Sequence, residues 1–146
     1  MRALSPTDSG FLWLETRNQP MHVAGLNIYT PPAGAGPEFV QDMLKKWGTH
    51  LQALAPFNLR PVLRMGLWYW EEDKEFELDY HLRHVALPQP GRIRELLAMV
   101  SRVHGNLMDR NRPLWECYVI EGLPGGRLPP TPRSTTPSST ALPGPR

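Results

Sequence analysis

The residues whose chemistry could serve acid–base catalysis or metal binding are five histidines. His81 and His84 in "HLRH" stand three apart, a spacing seen in metal sites, but no nearby cysteine or carboxylate pattern completes a ligand shell. His22 falls in an apolar segment and His104 on an apolar helical stretch, where a hydrogen-bonded structural histidine is commoner than a ligand. These histidines therefore predict structural or surface roles.

A nucleophilic site is not indicated either. The single cysteine, Cys117, has no cationic neighbour, so we expect a small buried hydrophobe that forms no internal disulfide and suits a reducing cytoplasm. The sequence has no Gly-rich phosphate loop and no Ser-centred nucleophile elbow. The aromatic run Trp68, Tyr69 and Trp70 predicts core or sheet packing, and contact with a membrane interface is the less favoured interpretation.

Size and composition indicate one globular domain. The chain has 146 residues, of which 40% are hydrophobic and 21% charged. Its net charge of +2 includes no run of Lys or Arg, which argues against a nucleic-acid partner. No apolar run approaches a membrane span, and "MRALSPTDSG" lacks the apolar core of a signal peptide. A soluble, cytoplasmic protein is expected.

Three helices are predicted to position these residues. Apolar residues recur at helical spacing in "GPEFVQDMLKKWGTHLQAL" and in "GRIRELLAMVSRVHGNL". A shorter helix should begin near Pro6, because Ser5 suits the N-cap and Pro6 the first helical position. Phe11, Leu12 and Leu14 of this helix are expected to pack inward.

Strands are predicted in "MHVAGLNIYT", "PVLRMGLWYW" and "WECYVIEGL". In the second, Trp68 and Trp70 should share one face with Tyr69 on the other. In the third, one face should carry Trp115, Cys117 and Val119, and the other should carry Glu116, Tyr118 and Ile120. The following "PGG" turn should lead into a partner strand. Helices interspersed with strands predict an α/β sandwich, with helices against a sheet.

Three sequence blocks resemble the bacterial wax ester synthase/diacylglycerol acyltransferase family. "LSPTDSGFLWLETRNQPMHVAGL" is similar to the family's N-terminal signature, and "FELDYHLRHVALPQPG" to its next block. "LMDRNRPLWECYVIEGLPGGR" resembles the block with the family's Pro-Leu-Trp motif, which falls on Pro113, Leu114 and Trp115. The blocks occur in the family's order from Leu4 to Arg127.

The resemblance implies a CoA-dependent acyltransferase fold, in which two similar α/β halves enclose a channel where acyl-CoA meets an alcohol. This chain would cover most of the first half. The implied substrates are acyl-CoA and diacylglycerol or a long-chain alcohol, with no further cofactor and with peripheral contact at a membrane or lipid-droplet surface. Pro113, Leu114 and Trp115 are expected to be structural or channel-lining, and Leu114 and Trp115 should point to opposite faces.

The family's catalytic motif, His-His-x-x-x-Asp-Gly, is expected soon after "PGGR", and its second histidine would act as the general base. Thr135 and Thr136 stand at that position, and the last histidine of the chain is His104. No catalytic residue is therefore assigned.

A shifted reading frame would explain the Pro-, Ser- and Thr-rich segment after Arg127. Suitable codons for "KVHHALVDG", read one base later, give Arg-Ser-Thr-Thr-Pro-Ser-Ser-Thr-Ala, which matches residues 133–141. A His-His pair written with two CAC codons gives Thr-Thr in that frame, and the other synonymous codons were free choices. The alternative is a genuine low-complexity tail.

The sequence thus divides into a truncated acyltransferase domain over 1–127 and a tail over 128–146 that is expected to be disordered. Its function would be acyl-CoA:diacylglycerol or long-chain alcohol O-acyltransfer, with this polypeptide inactive by itself. One alternative is a non-catalytic fragment with at most lipid-surface or CoA binding. Another is a condensation-type acyltransferase of peptide or polyketide assembly, against which the "LSPTDSGFLWLE" block argues.

Overall fold

The structure is a computed structural model that describes residues 2–51, 55–124 and 130–134. Its helices are α1 (Pro6–Leu14), α2 (Phe39–Leu51), α3 (Leu78–His81) and α4 (Ile93–His104). Its strands are β1 (Arg2–Ala3), β2 (Val23–Ala24), β3 (Leu59–Arg64), β4 (Leu67–Glu72), β5 (Leu82–Ala86), β6 (Trp115–Glu121) and β7 (Pro130–Ser134). Within the described ranges, no helix is both long and apolar enough to cross a membrane.

The strands form two sheets. The smaller has the order β1-β4-β3, and the larger has the order β2-β7-β6-β5. In the larger sheet β5 runs parallel to β6, whereas β7 is antiparallel to both β6 and β2. The predicted α/β class with helices against a sheet is confirmed.

Strand β6 is the centre of the core, because helices cover both of its faces. Tyr118 and Ile120 pack with the apolar side of α4, which includes the fully buried Leu96. Val119 packs with α2, and Trp115 and Cys117 pack with residues of α2, α3 and the 57–76 region. The alternation predicted from "WECYVIEGL" is confirmed, and the strand is apolar on both faces as in parallel sheets.

The three predicted helices are α1, α2 and α4. Ser5 caps α1, since its Oγ accepts a hydrogen bond from the Asp8 backbone N–H at 3.1 Å. Leu12 is buried as expected, but the prediction for Leu14 is wrong because its side chain is exposed. Two helical positions correspond to a rotation of about 200°, so Leu14 lies on nearly the opposite side of α1 from Leu12.

Two predicted strands differ from the structure. The stretch "PVLRMGLWYW" is a hairpin of β3 and β4 rather than one strand, because Met65 and Gly66 both adopt positive φ and reverse the chain. Trp68 and Trp70 still share the core face predicted for them. The stretch "MHVAGLNIYT" contributes only Val23–Ala24 as a strand.

Strand β7 lies within the segment predicted to be disordered. Pro130–Ser134 pair with β6 on one side and, in part, with β2 on the other, which departs from that prediction at these five residues. Alternate residues of an antiparallel strand direct their backbone groups to opposite neighbours, so Pro130 and Pro132 remove donors on one side only. The other residues of 128–146 lie outside the described part of the chain.

Candidate functional site

Pro113, Leu114 and Trp115 form the entry to β6. The backbone N–H of Trp115 donates to the Pro113 carbonyl at 2.9 Å, which closes the turn into the strand. Leu114 is buried in the core cluster under the smaller sheet, and Trp115 is buried in the cluster between the larger sheet, α2 and α3. The two side chains therefore lie in different clusters, and each is at most 5% exposed.

Two arginines fix the loop before this motif. Arg110 contacts the buried carboxylate of Glu15 at 3.2 Å, and the second oxygen of Glu15 accepts from the Met21 backbone N–H at 3.1 Å. Arg112 pairs with Glu77 at 2.8 Å, and its guanidinium lies 4.2 Å from the centre of the Tyr80 ring. The loop is thus tied to the segment after α1 and to the start of α3.

His81 is the group most closely coupled to Trp115. Its Nδ1 donates to the Trp115 carbonyl at 2.8 Å, so Nε2 carries the lone pair, and the two rings stack 4.8 Å apart. The other face of the cluster is completed by Phe76, 5.0 Å from the His81 ring. The Trp115 indole N–H donates to the Phe57 carbonyl at 2.7 Å.

Burial decides the protonation state of His81. The residue is fully buried, and this desolvation lowers the pKa of its imidazole below the usual 6.5, although the hydrogen bond to Trp115 acts in the opposite direction. His81 is therefore a neutral structural group that substrate cannot reach. A hydrogen-bonded or surface role was predicted for His81, but its partner was not, since the hydrogen bond links residues 34 positions apart and leaves no local pattern.

The remaining chemically capable residues are also engaged. His84 pairs with Glu121 at 2.8 Å, and His22 Nε2 donates to the His104 carbonyl at 2.8 Å. Burial raises the pKa of the Cys117 thiol to about 12, which makes it unsuited to nucleophilic chemistry at neutral pH. Among the described residues, no three or more His, Cys, Asp or Glu side chains are grouped so that they could hold a metal ion.

The pairing of β6 with β7 locates the end of the motif relative to the following residues. Trp115 stands opposite Ser134, and the two strands are antiparallel. Ser134 directly precedes Thr135 and Thr136, the position at which the histidine pair was expected. Thr135 and Thr136 themselves lie outside the described residues.

An open groove of about 660 Å³ lies between α2 and β5. Its apolar side chains are Leu44, Leu78 and Leu82, and its polar ones include Lys45, Asp79, Arg83 and His84. Arg83 is held there by a 2.9 Å hydrogen bond from Nε to the Tyr80 carbonyl. The groove lies beside the buried Trp115 cluster, because Leu78 and Leu82 contribute to both.

Comparison with known proteins identifies close relatives. Residues 4–129 match the family model "Wax ester synthase/diacylglycerol acyltransferase catalytic domain". The chain is 45% identical over 131 residues to the probable diacylglycerol O-acyltransferase tgs2 of Mycobacterium tuberculosis, covering 88% of this chain and 29% of that protein. It is 47% identical over 129 residues to the O-acyltransferase WSD of Acinetobacter baylyi, covering 88% and 27%.

Solved structures agree with these matches. The wax ester synthase/diacylglycerol acyltransferase from Marinobacter aquaeolei VT8 superposes with a TM-score of 0.84 at 46% identity, covering 92% of this chain and 33% of that one. A starter condensation domain of rhizomide synthetase in complex with C8-CoA has a TM-score of 0.64 at 12% identity, covering 92% and 30%. The latter likeness concerns the fold alone. The chain thus spans about a third or less of the length of these relatives.

Proposed function

Because the chain belongs to the wax ester synthase/diacylglycerol acyltransferase family, we propose that it is the first part of an enzyme that transfers an acyl group from acyl-CoA to an alcohol. The acceptor is diacylglycerol or a long-chain alcohol, and the products are triacylglycerol or a wax ester. Acyl-CoA is a co-substrate, and no further cofactor takes part. The acceptors are lipids, so the enzyme works at the periphery of a membrane or lipid droplet.

The reaction needs one proton transfer at the acceptor hydroxyl. A general base removes that proton as the oxygen attacks the thioester carbonyl, the C–S bond then breaks, and the CoA thiolate takes a proton as it leaves. In the family resemblance this base is the second histidine of the His-His-x-x-x-Asp-Gly motif. An imidazole is suited to the role because its pKa lies near neutral pH.

The observation that carries the proposal is the match of residues 4–129 to the acyltransferase family model, and the Pro-Leu-Trp motif inside that match leads into β6. Trp115, held by His81 and Phe57, faces Ser134, and the expected histidine pair would follow one residue later. We propose that Pro113, Leu114 and Trp115 fix this end of β6. The neighbouring strand then holds the general base at a defined position along β6. In this role they are positioning residues.

The 146 residues by themselves are proposed to be inactive. The imidazoles of His22, His81 and His84 are held by a hydrogen bond or an ion pair, and the His104 ring lies edge-on to that of His22. The exposed His50 bonds the Lys46 carbonyl of its own helix. Thr at the expected position of the base cannot deprotonate an alcohol at neutral pH. Loss of a general base costs on the order of 10² to 10⁴ in rate, and lost positioning by the remaining part of the enzyme costs more.

The test is to express residues 1–146 and measure transfer of a radiolabelled palmitoyl group from palmitoyl-CoA to diacylglycerol and to a long-chain alcohol. The Acinetobacter baylyi relative serves as the positive control. We expect no product above a mock preparation for 1–146, and activity when the reading frame is restored and the second half is present. Turnover by 1–146 alone would overturn the assignment of the base, and an inactive restored enzyme would overturn the proposed reaction.

A further inference from the structure

The turn between β3 and β4 carries an unusual apex. We call residues 63–67, Leu-Arg-Met-Gly-Leu, the hairpin tip. Met65 is fully exposed, with a relative accessibility of 103%, and has a φ of +49°, while Gly66 has a φ of +77°. Two-residue turns of this kind favour Asn or Gly where φ is positive, because the backbone there is strained for most side chains. The turn thus exposes the whole Met65 side chain to solvent from a strained backbone position.

The hairpin tip is apolar on both faces. Leu63 stands opposite Trp68 on the core face of the sheet, and Leu67 stands opposite Arg64 on the outer face. Leu63 is 46% exposed and Leu67 is 61% exposed, so neither is covered. With Met65 at the apex, three large apolar side chains point in different directions from one short turn.

The one charged side chain of the hairpin tip is drawn away from it. The Arg64 guanidinium contacts Glu71 at 2.8 Å. Glu71 lies four residues along β4 from Leu67, which is the cross-strand partner of Arg64. The arginine stem therefore runs back toward the body of the sheet, where Arg60 reaches the same carboxylate at 3.5 Å. Long basic side chains take this course when their apolar stems lie near an apolar phase and their charges remain in water.

Aromatic residues stand directly behind the apolar apex. Trp68 and Tyr69 are half-buried and follow Leu67 along β4, on opposite faces. The order from the apex inward is thus apolar, aromatic and then charged, with Glu71 paired to Arg60 and Arg64. That order matches the layers of a lipid surface, from acyl chains through the headgroup region to water.

We propose that the hairpin tip inserts into the acyl-chain region of a zwitterionic phospholipid surface. A convex turn that carries apolar side chains on both faces and at its apex needs a concave apolar pocket in a protein partner, whereas a fluid lipid layer accepts it without shape complementarity. The one charged side chain of the tip, Arg64, is paired with Glu71, so insertion is driven by the apolar side chains and does not require anionic lipid. This inference names the contact for the peripheral lipid association proposed above, and it stands on the hairpin independently of acyl transfer.

The experiment is vesicle flotation of residues 1–146, synthesised in a cell-free reaction with phosphatidylcholine vesicles and without acyl-CoA. Met65→Asn removes the apical side chain and suits the positive φ, so the fold is retained and its melting temperature does not fall. We expect about tenfold weaker partitioning for this variant, the effect of losing one buried apolar side chain. The matched control is Leu97→Asn, at a half-exposed position on α4, which leaves flotation unchanged.

A second measurement reports depth directly. Met65→Cys takes an environment-sensitive fluorophore, and the buried Cys117 does not react, so the label reports position 65 alone. Its emission should shift to the blue on addition of vesicles, whereas a label on Ser101→Cys in α4 should not respond. Failure of the wild-type chain to float, equal losses in Met65→Asn and Leu97→Asn, or a label at 65 that stays in water would each overturn the inference. So would a dimer in solution that Met65→Asn dissociates, because the tip would then bind a second copy.

Because flotation is measured without substrate, its outcome is separate from that of the acyltransferase assay. A chain that floats but shows no turnover after frame restoration supports the hairpin inference and rejects the proposed reaction. An active restored enzyme, together with a Met65→Asn variant that floats as well as the wild type, supports the proposed reaction and rejects the hairpin inference.

Discussion

His81 and Trp115 hold each other through two contacts of different kinds. The imidazole N–H satisfies the Trp115 carbonyl, and the two rings stack in a cluster that excludes water. The indole N–H is in turn satisfied by Phe57. A buried carbonyl or indole N–H without a partner is costly, so the polar bonds and the apolar packing depend on one another.

Truncation of Trp115 should therefore be among the most destabilising single changes. Trp115→Ala leaves a cavity and an unpaired Phe57 carbonyl, and we expect a loss of about 3–5 kcal/mol in the free energy of unfolding. Trp115→Phe keeps much of the ring packing and should cost less. Urea denaturation of the three proteins gives the measurement, and equal stabilities would contradict a structural role for this residue.

The lowered pKa of His81 predicts a pH dependence of stability. Burial favours the neutral imidazole, so the unfolded chain binds the proton more readily than the folded chain. This stability is complete above the ordinary pKa of 6.5 and is lost as the pH falls from there through the lowered folded value.

The urea midpoint should accordingly fall between about pH 7.5 and about pH 5.5, as His81 crosses its unfolded pKa. His81→Phe retains a stacking ring that does not titrate, so it should be less stable at the higher pH but lose less on acidification. His84→Gln is the control, because the half-exposed His84 lies outside the cluster. A decline that persists undiminished in His81→Phe would show that another group is responsible.

At the scale of elements, the loop before α4 is locked against the end of β6. Gly91 has a φ of +69°, and a Cβ built there would clash with the carbonyl oxygen of Gly122. Gly122 itself has a φ of +103° and lies against Leu87. Backbone therefore meets backbone at this point, and neither neighbour is a flexible side chain that could move aside.

Gly91→Ala should lower the free energy of unfolding by more than about 3 kcal/mol, because it combines a strained backbone with a clash. Gly34→Ala is the matched control, since Gly34 also has a positive φ but nothing within 4 Å of its added Cβ. That variant should lose only about 1–2 kcal/mol from backbone strain. Thermal unfolding monitored by circular dichroism compares the two, and similar melting temperatures would show that the loop yields.

The sequence predicts those elements whose burial follows a simple period. Helices α2 and α4 each expose one face and bury the other, and β6 alternates between two helical layers, so local spacing carries the information. The hairpin of β3 and β4 was missed because Met65 occupies a turn position where Asn or Gly would have indicated a hairpin. The coupling of His81 to Trp115 was missed because it depends on the parallel pairing of β5 with β6, which no local pattern encodes.

At the scale of the whole molecule, the family match ends close to where the Pro-, Ser- and Thr-rich sequence begins. The match extends over residues 4–129, and Thr135 and Thr136 occupy the positions at which the resemblance predicts two histidines. The nucleotide sequence should therefore contain a one-base insertion or deletion near codons 126 to 130. Restoring the frame should give His-His-x-x-x-Asp-Gly followed by a long second half.

Sequencing of the gene through and beyond this region provides the measurement. The flanking codons that encode the Pro-Leu-Trp motif act as an internal control for the frame. A coding region that stays open only in the present frame, with no histidine motif in either alternative frame, would contradict the prediction and favour a genuine Pro-, Ser- and Thr-rich tail.

The order of the larger sheet has a consequence for the life of the protein in the cell. Among the described strands β2 pairs only with β7, so Val23 is paired with Ser134, a residue far later in the sequence. During synthesis on the ribosome this segment cannot pair until β7 has emerged. Prolines at 130 and 132 then weaken one side of the strand that must receive it. Until that pairing forms, the segment around Val23 lacks a strand partner and is open to proteases. We therefore expect slow pairing to lower the amount of protein that accumulates, without changing the kinetic constants of the folded protein.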